Sequence, residues 1–328
     1  MLAMFPNGEV DGPLACPDKL GIVGTGFVGS TFAYTAVLRG LASEIILVDK
    51  QRDKADGEAM DLSHAVPFAR PVRVRSGGYS DLEGAAVVCV AAGVGQNPGE
   101  DRLSLLARNV AVLREVVAGI VRHCPGTIIL IASNPVDIMA YAAWRLSGFP
   151  ASRVIGSGTI LDTARLRFLL SQRHGVDPRS VHAFVVGEHG DSEVPVWSLA
   201  NIAGIRLQDS PGFDPAAHRD IFLKTRDAAY EIIKRKKATY YAIAVGLARI
   251  VESILRDEHS VLSVSALVDG YLGVEGVYLG VPAVVGRAGI ERLIELPLDP
   301  AETEAFRRSA AILREQAASL GLPPRPPS

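Results

Sequence analysis

The stretch KLGIVGTGFVGSTFAYTAVLR, residues 19–39, decides the fold. Residues 20–23 read as a short apolar strand, and an apolar-patterned helix follows through about Arg39. Between them Gly24, Gly26 and Gly29 form G-x-G-x-x-G at the strand-to-helix turn. Gly24 permits the tight turn, Gly26 lets a pyrophosphate approach the backbone, and Gly29 allows helix and strand to pack closely. The phosphates then meet exposed N–H groups at a positive helix end. Glu44–Val48 is a second strand, and Asp49 closes it at the spacing, about twenty residues on, where a carboxylate accepts hydrogen bonds from both adenosine ribose hydroxyls. A 2′-phosphate would meet like charge there, so NAD is favoured over NADP.

Outward from this turn, residues 85–92 and 127–132 are further apolar strand candidates, with a helical stretch over 103–122 between them. Alternating strands and helices predict an α/β fold, a doubly wound parallel sheet of Rossmann type, with ligands beyond the carboxyl ends of the strands. After about Gly158 the pattern changes to a helix over 161–174, a strand over 181–186, and mixed helix and strand, which predicts a second, α+β substrate domain. Residues 220–256 read as one long helical stretch whose small and apolar later half packs at a domain or subunit interface. Asp299, Pro300 and Glu302 supply an N-cap, a first-turn proline and a capping-box acid for a final helix. The expected division is a flexible extension over 1–17, a dinucleotide-binding domain over 18–157, a catalytic domain over 158–322 and a disordered Pro-rich tail over 323–328.

The 328 residues allow about two ordinary domains, and 48% apolar with 21% charged residues fits a globular chain. A formal charge of −2 leaves no excess of Lys or Arg for a nucleic-acid backbone. No uninterrupted apolar stretch approaches the roughly 20 residues that cross a bilayer, and the first residues lack the basic start of a secretory signal. A cytoplasmic chain is expected. Cys16, Cys89 and Cys124 are odd in number, with Cys89 inside a buried-strand pattern, so reduced thiols are expected. No metal is expected.

Oxidising a 2-hydroxy acid needs a base, an orienter for that base, a cation for the carboxylate and a group polarising the C2 oxygen. The run Gly187-Glu188-His189-Gly190-Asp191 puts a histidine between glycines just after a strand. Asp162 and Arg165 stand three apart on one helix and share a face, while Arg167 lies about 200° around from Arg165.

The motifs GTGFVGS, GQNPGEDRLSLLARN, SNPVDI, GSGTILDTARLR, GEHGDSE and KKATYYAIA resemble, in order, those of the bacterial L-lactate dehydrogenases over about residues 19–322. The resemblance implies His189 as proton acceptor and donor, with Asp162 holding its ring and stabilising the imidazolium. It implies Arg165 as a two-pronged clamp on the substrate carboxylate, a geometry Lys would not reproduce. Arg102 would polarise the carbonyl from a loop that closes over the substrate, and Asn134, before Pro135, would hydrogen-bond the substrate oxygen beside the nicotinamide. Phe27, Val28, Ala92 and Gly93 join Gly24, Gly26, Gly29, Asp49 and Asn134 as cofactor-binding residues.

Gln96 discriminates among acids: the malate dehydrogenases in this resemblance carry Arg there, to pair with oxaloacetate's second carboxylate. A neutral amide suits pyruvate's methyl end and would leave that carboxylate buried without a counter-ion. Thr239 matches the residue packing near that methyl. Lys237 departs from the Gly that many relatives carry, which bears on the pocket wall, and Val94 and Gly95 also vary. Arg167 and His182 match the positions that bind fructose 1,6-bisphosphate between subunits of allosteric bacterial enzymes, with the strand parity of His182 placing it opposite His189. A homotetramer is implied. The rivals are dehydrogenation of malate or a bulkier 2-hydroxy acid, and a catalytically silent NAD-binding protein.

Overall fold

The computed structural model describes residues 18–95 and 102–322, the side chains of Arg102 and Leu103 excepted. The expected extension, the expected tail, Cys16 and Gln96 lie outside the described residues. Strands β1 (Lys19–Val23), β2 (Glu44–Val48), β3 (Arg73–Ser76), β4 (Ala85–Val90), β5 (Ile128–Ile131) and β6 (Val154–Gly156) pair in parallel in the order β3-β2-β1-β4-β5-β6. Helices α1 (Phe27–Arg39), α2 (Arg52–Ala65), α3 (Arg102–His123) and α4 (Val136–Ser147) connect them. The order reverses between β1 and β4, which opens a crevice at their carboxyl ends.

These strands are continuous apolar runs because both faces are covered. Side chains alternate across the sheet. Ile45, Leu47, Val87 and Cys89 point to the face packed by Phe32, Ala33 and Ala36 of α1. Ile46, Val88 and Val90 point to the other face, with Leu113 and Val117 of α3 and Met139 of α4. Cys89 is fully buried, and that burial raises its thiol pKa.

The chain continues through α5 (Ile160–His174) and the short strands β7 (Val181–His182), β8 (Val185–Val186), β9 (Val194–Pro195), β10 (Asn201–Ile202) and β11 (Ile205–Arg206). Then come α6 (Pro215–Lys236), α7 (Tyr241–Leu255), β12 (Ser260–Tyr271), β13 (Val274–Gly286), β14 (Gly289–Leu293) and α8 (Pro300–Ala318). β12 pairs antiparallel with β6, so β12, β13 and β14 extend the parallel sheet into one of nine strands. The capping box forms as the sequence predicts: Glu302 N donates to Asp299 Oδ1 at 2.8 Å, and Asp299 N donates to Glu302 Oε2 at 3.1 Å.

Two expectations need correction. Residues 181–186 are two dipeptide strands in different sheets, β7 on β10 and β8 on β9. Arg167 Nε takes the Ala183 carbonyl at 2.9 Å, and Val196 N donates to the Phe184 carbonyl, which removes the middle of the run from one continuous ladder. Strand parity therefore does not place His182 relative to His189. The stretch 220–256 likewise divides, α6 ending at Lys236 and α7 starting at Tyr241, with Lys237 at φ 74° between them.

Lys237 occupies the left-handed cap position that ordinarily takes glycine, and its N–H bonds to the Ile233 carbonyl at 2.8 Å. A Cβ in that conformation costs about 1–2 kcal/mol, from which the greater unfolded-state freedom of glycine subtracts about 0.5–1 kcal/mol. Lys237→Gly is therefore expected to stabilise the protein by about 0.5–1 kcal/mol. Thermal or urea unfolding reads the change, and a lower midpoint in the variant would contradict it. Lys236 and Thr239 line a cavity and Lys237 does not, so its effect is on the backbone rather than on that wall.

Candidate active site

The turn after β1 has the expected geometry. Gly24 stands at φ 97°, with Ala92 nitrogen 2.5 Å from where a Cβ would sit, and a Cβ on Gly29 would fall on the Gly24 carbonyl oxygen. A Cβ on Gly26 would meet nothing within 4 Å, so the backbone there faces open space at the N-terminus of α1. This opening fits an approaching pyrophosphate. Asp49 is held beside it: Oδ2 accepts from Thr25 N at 2.7 Å and Thr25 Oγ1 at 3.0 Å, and Oδ1 accepts from Gln51 N at 2.9 Å. Burial resists its ionisation, but the Gln51 and Thr25 donors outweigh that and hold the carboxyl below its usual range. An anion stays ready for ribose hydroxyls.

Ala92 and Gly93 leave the end of β4, and Asn134 leaves the end of β5, so all reach the same crevice. Ser133 Oγ donates to the Ala92 carbonyl at 2.5 Å and ties the two loops together. Asn134 is exposed and joined to Pro135 by a cis peptide bond. Val94 N donates to Asn109 Oδ1 at 2.8 Å. Val28 is half-buried, and Phe27 is exposed and stacks on Tyr240 with ring centroids 5.2 Å apart. That stack brings the α6–α7 turn, including Thr239, over the first turn of α1.

His189 sits on a turn fixed by three elements. Gly187 and Gly280 of β13 exchange backbone hydrogen bonds at 2.9 and 2.8 Å. Glu188 N donates to Ser309 Oγ of α8 at 2.7 Å, and His189 N donates to Asp137 Oδ2 of α4 at 2.7 Å. Gly187 is required here, because it stands at φ 91° and a Cβ would come within 2.8 Å of Ser309 Oγ. α5 is anchored to the strand before this turn, since Thr163 Oγ1 accepts from Val185 N at 3.0 Å and Thr159 Oγ1 donates to Val185 O at 2.6 Å.

That docking brings Asp162 to the histidine. His189 Nδ1 lies 2.6 Å from Asp162 Oδ2, and Arg165 Nη1 donates to Asp162 Oδ1 at 2.9 Å, with the Asp162 side chain only 2% exposed. Burial works against a charged ring, but Asp162, with smaller help from Asp137 and Glu193, more than offsets it and raises His189 to about 9. Arg165 and Thr239 line one mainly apolar cavity of about 500 Å³ with Leu161, Phe168, Ile232 and Tyr241. The α4 acid Asp137 and the turn acid Glu193, 2% and 6% exposed, are absent from the sequence-derived set although both lie within the quoted motifs. Burial pushes Asp137 up to about 6. An acid next to a valine or isoleucine inside an apolar helix start was the signal for Asp137; Glu193 had none beyond its place in the histidine turn.

Arg167 is turned away from Arg165, as its helical position predicts, with Nε on the Ala183 carbonyl and its guanidinium 5.3 Å from the Phe184 ring centroid. His182 is exposed on β7. Gln96 and the Arg102 side chain lie outside the described residues. No helix among the described residues is long and apolar enough to cross a membrane.

A parallel sheet whose order reverses at an open glycine turn, with a half-buried histidine and arginine joined through a buried aspartate, defines a dehydrogenase built on a dinucleotide-binding fold. The NAD-binding-domain model of the lactate/malate dehydrogenase family matches residues 18–156, and the model of that family's alpha/beta C-terminal domain matches 159–320. The chain belongs to the lactate/malate dehydrogenase family, and its cofactor is NAD. It is 47% identical over 307 residues to L-lactate dehydrogenase 1 of Clostridium acetobutylicum, covering 92% of this chain and 98% of that one. It is 49% identical over 298 residues to an L-lactate dehydrogenase of a Synechococcus species, covering 90% and 97%. The crystal structure of the minor L-lactate dehydrogenase of Enterococcus mundtii in ligand-bound form superposes with a TM-score of 0.90 at 41% identity, covering 93% of this chain and 98% of that one. A lactate dehydrogenase from a Medee basin deep-sea metagenome library gives 0.90 at 44% identity, covering 93% and 99%.

Proposed function

We propose that this protein is an L-lactate dehydrogenase that interconverts pyruvate and L-lactate, with residues 18–157 as the NAD-binding domain and 158–322 as the catalytic domain. The observation that carries the reading is the buried contact of His189 with Asp162, and of Asp162 with Arg165, at the crevice. With Nδ1 committed to Asp162, the Nε2 atom of His189 is the one that gives a proton to the C2 oxygen of pyruvate and takes it back from lactate. Asp162 keeps the ring in that tautomer and steadies its charged form. Arg165 keeps guanidinium N–H groups beyond the one on Asp162 for a bidentate grip on the substrate carboxylate. We assign Arg102 and Asn134 to polarising the C2 oxygen, and Gln96 and Thr239 to the choice of acid at the methyl end. When bound, the nicotinamide supplies or receives the hydride at C2. The glycines at 24, 26 and 29, with Phe27, Val28, Asp49, Ala92, Gly93 and Asn134, hold and orient that cofactor.

Arg167 and His182 make the regulatory reading concrete. Half-buried Arg167 bonds to the carbonyl of Ala183, the residue after exposed His182, and this neighbourhood supports a shared site for fructose 1,6-bisphosphate. We also assign a cytoplasmic homotetramer, and the exposed Tyr34 and Leu38 of α1 and Val245 of α7 support burial of an apolar surface between subunits. The test is NADH oxidation with pyruvate, oxaloacetate and a branched 2-oxo acid, each with and without the bisphosphate. Pyruvate is expected to lead oxaloacetate in kcat/KM by about tenfold or more. Preference for oxaloacetate would reassign the enzyme to malate, and a pyruvate KM unmoved by the bisphosphate would remove the regulatory site.

A further inference from the structure

Glu193 ends the turn that presents His189 and then leads into β9, yet no step of the proposed reaction uses it. It is 6% exposed, and its Oε1 has no hydrogen-bond partner. One side-chain atom from each of Asp162, His189 and Glu193 lies within 4.8 Å of the other two. This turn therefore carries a second acid against the catalytic ring, in surroundings where an unpaired carboxylate is costly.

We propose that Glu193 is a positioning residue for His189, a buried acid whose ionisation is tied to that of the imidazole and which widens the pH range over which the ring keeps its proton. The inference rests on the lactate dehydrogenase reading. Burial first, and the negative charge of Asp162 second, favour the neutral form of Glu193; the His189 cation, Arg165 and Arg226 favour the carboxylate. In return, the Glu193 carboxylate favours the imidazolium, as do Asp162 and Asp137. The remaining charges near the cluster have partners of their own. Glu188 accepts from Ser192 Oγ, Arg226 is paired with Asp227 at 2.8 Å, and Asp191 accepts from Tyr230 Oη at 3.1 Å. Asp137 also has an oxygen, Oδ1, without a partner, but burial raises it only to about 6, so it is already ionised where the ring titrates near 9; Glu193 is the acid in the cluster whose charge can follow the ring.

The test is the alkaline limb of kcat/KM for pyruvate reduction in the full-length enzyme. Glu193→Gln keeps the shape and removes the ionisable group, so the limb is expected to move about one pH unit toward acid, the shift appropriate to losing a partly ionised opposite charge within about 5 Å. Glu193→Asp, which restores the acid, is expected to bring the limb back toward wild type. The midpoint of the limb is independent of plateau height, so a variant of reduced activity still reports it. Binding of oxamate to the NADH complex, read by fluorescence quenching, should move with the limb, because the same protonated ring is required. Should Glu193→Gln fold poorly, Glu193→Ser serves as a second uncharged variant. Limbs for Gln or Ser that coincide with wild type overturn the role of Glu193 while leaving the lactate dehydrogenase reading intact. A wild-type enzyme inert toward pyruvate overturns both.

Discussion

Replacing His189 by asparagine is expected to lower kcat for pyruvate reduction by about a thousandfold or more, near the upper part of what one positioned proton donor contributes. Asparagine can still donate to Asp162, so the buried acid keeps a partner. The turn itself is held by the backbone of Gly187, Glu188 and His189 on Gly280, Ser309 and Asp137, none of which depends on the ring. The loss is therefore chemical rather than structural, and NADH binding should survive it. The pH dependence sharpens the prediction. His189 is raised to about 9, chiefly because Asp162 overcomes the penalty of burial. Pyruvate reduction consumes the protonated ring, so its kcat/KM should fall as pH rises through about 9; lactate oxidation needs the neutral ring and should rise over the same interval. The asparagine variant should lose both limbs. Steady-state rates across pH 6–10 give the answer, and a variant within tenfold of wild type would remove His189 from the chemistry.

Much of this site was legible before any coordinate. The glycine turn, Asp49 and the shared helical face of Asp162 and Arg165 follow from local rules of spacing, and each forms as those rules require. β3, with the sequence RVRS, has no apolar run to announce it; it exists because it completes the sheet against β2. β12 and β13 are apolar enough, but nothing local says that they join the parallel sheet at β6 rather than forming one of their own. The break at Lys237 was hidden because a lysine occupies a conformation that glycine normally signals. Glu193 was hidden for a related reason. Its importance comes from meeting Asp162 of α5 across the fold, beside the ring that its own turn carries, and no sequence period encodes that meeting with α5.

Arg165→Lys is the second large effect, and it separates binding of the substrate from binding of the cofactor. The Arg165 side chain is 13% exposed, its Nη1 is 2.9 Å from Asp162 Oδ1, and it lines the same cavity as Thr239. A guanidinium is a planar fork that serves Asp162 and a carboxylate at once; an ammonium is a compact charge that reaches one of them well. The positive charge is conserved in the variant, so whatever is lost belongs to geometry. Weakening a desolvated, hydrogen-bonded ion pair costs about 2–5 kcal/mol, and a central value near 3 kcal/mol corresponds to about a hundredfold. The KM for pyruvate is therefore expected to rise about a hundredfold. kcat should fall as well, because a substrate held by one contact no longer presents C2 squarely to the ring of His189. The dissociation constant of NADH should stay within about twofold, since Arg165 lies on α5 and the glycine turn on α1, and effects at separated sites are nearly independent. Steady-state kinetics with a parallel NADH fluorescence titration measure both quantities. If KM moves by less than about threefold, the carboxylate is gripped elsewhere in the cavity, where Lys224 and Lys236 are the other cations on its wall.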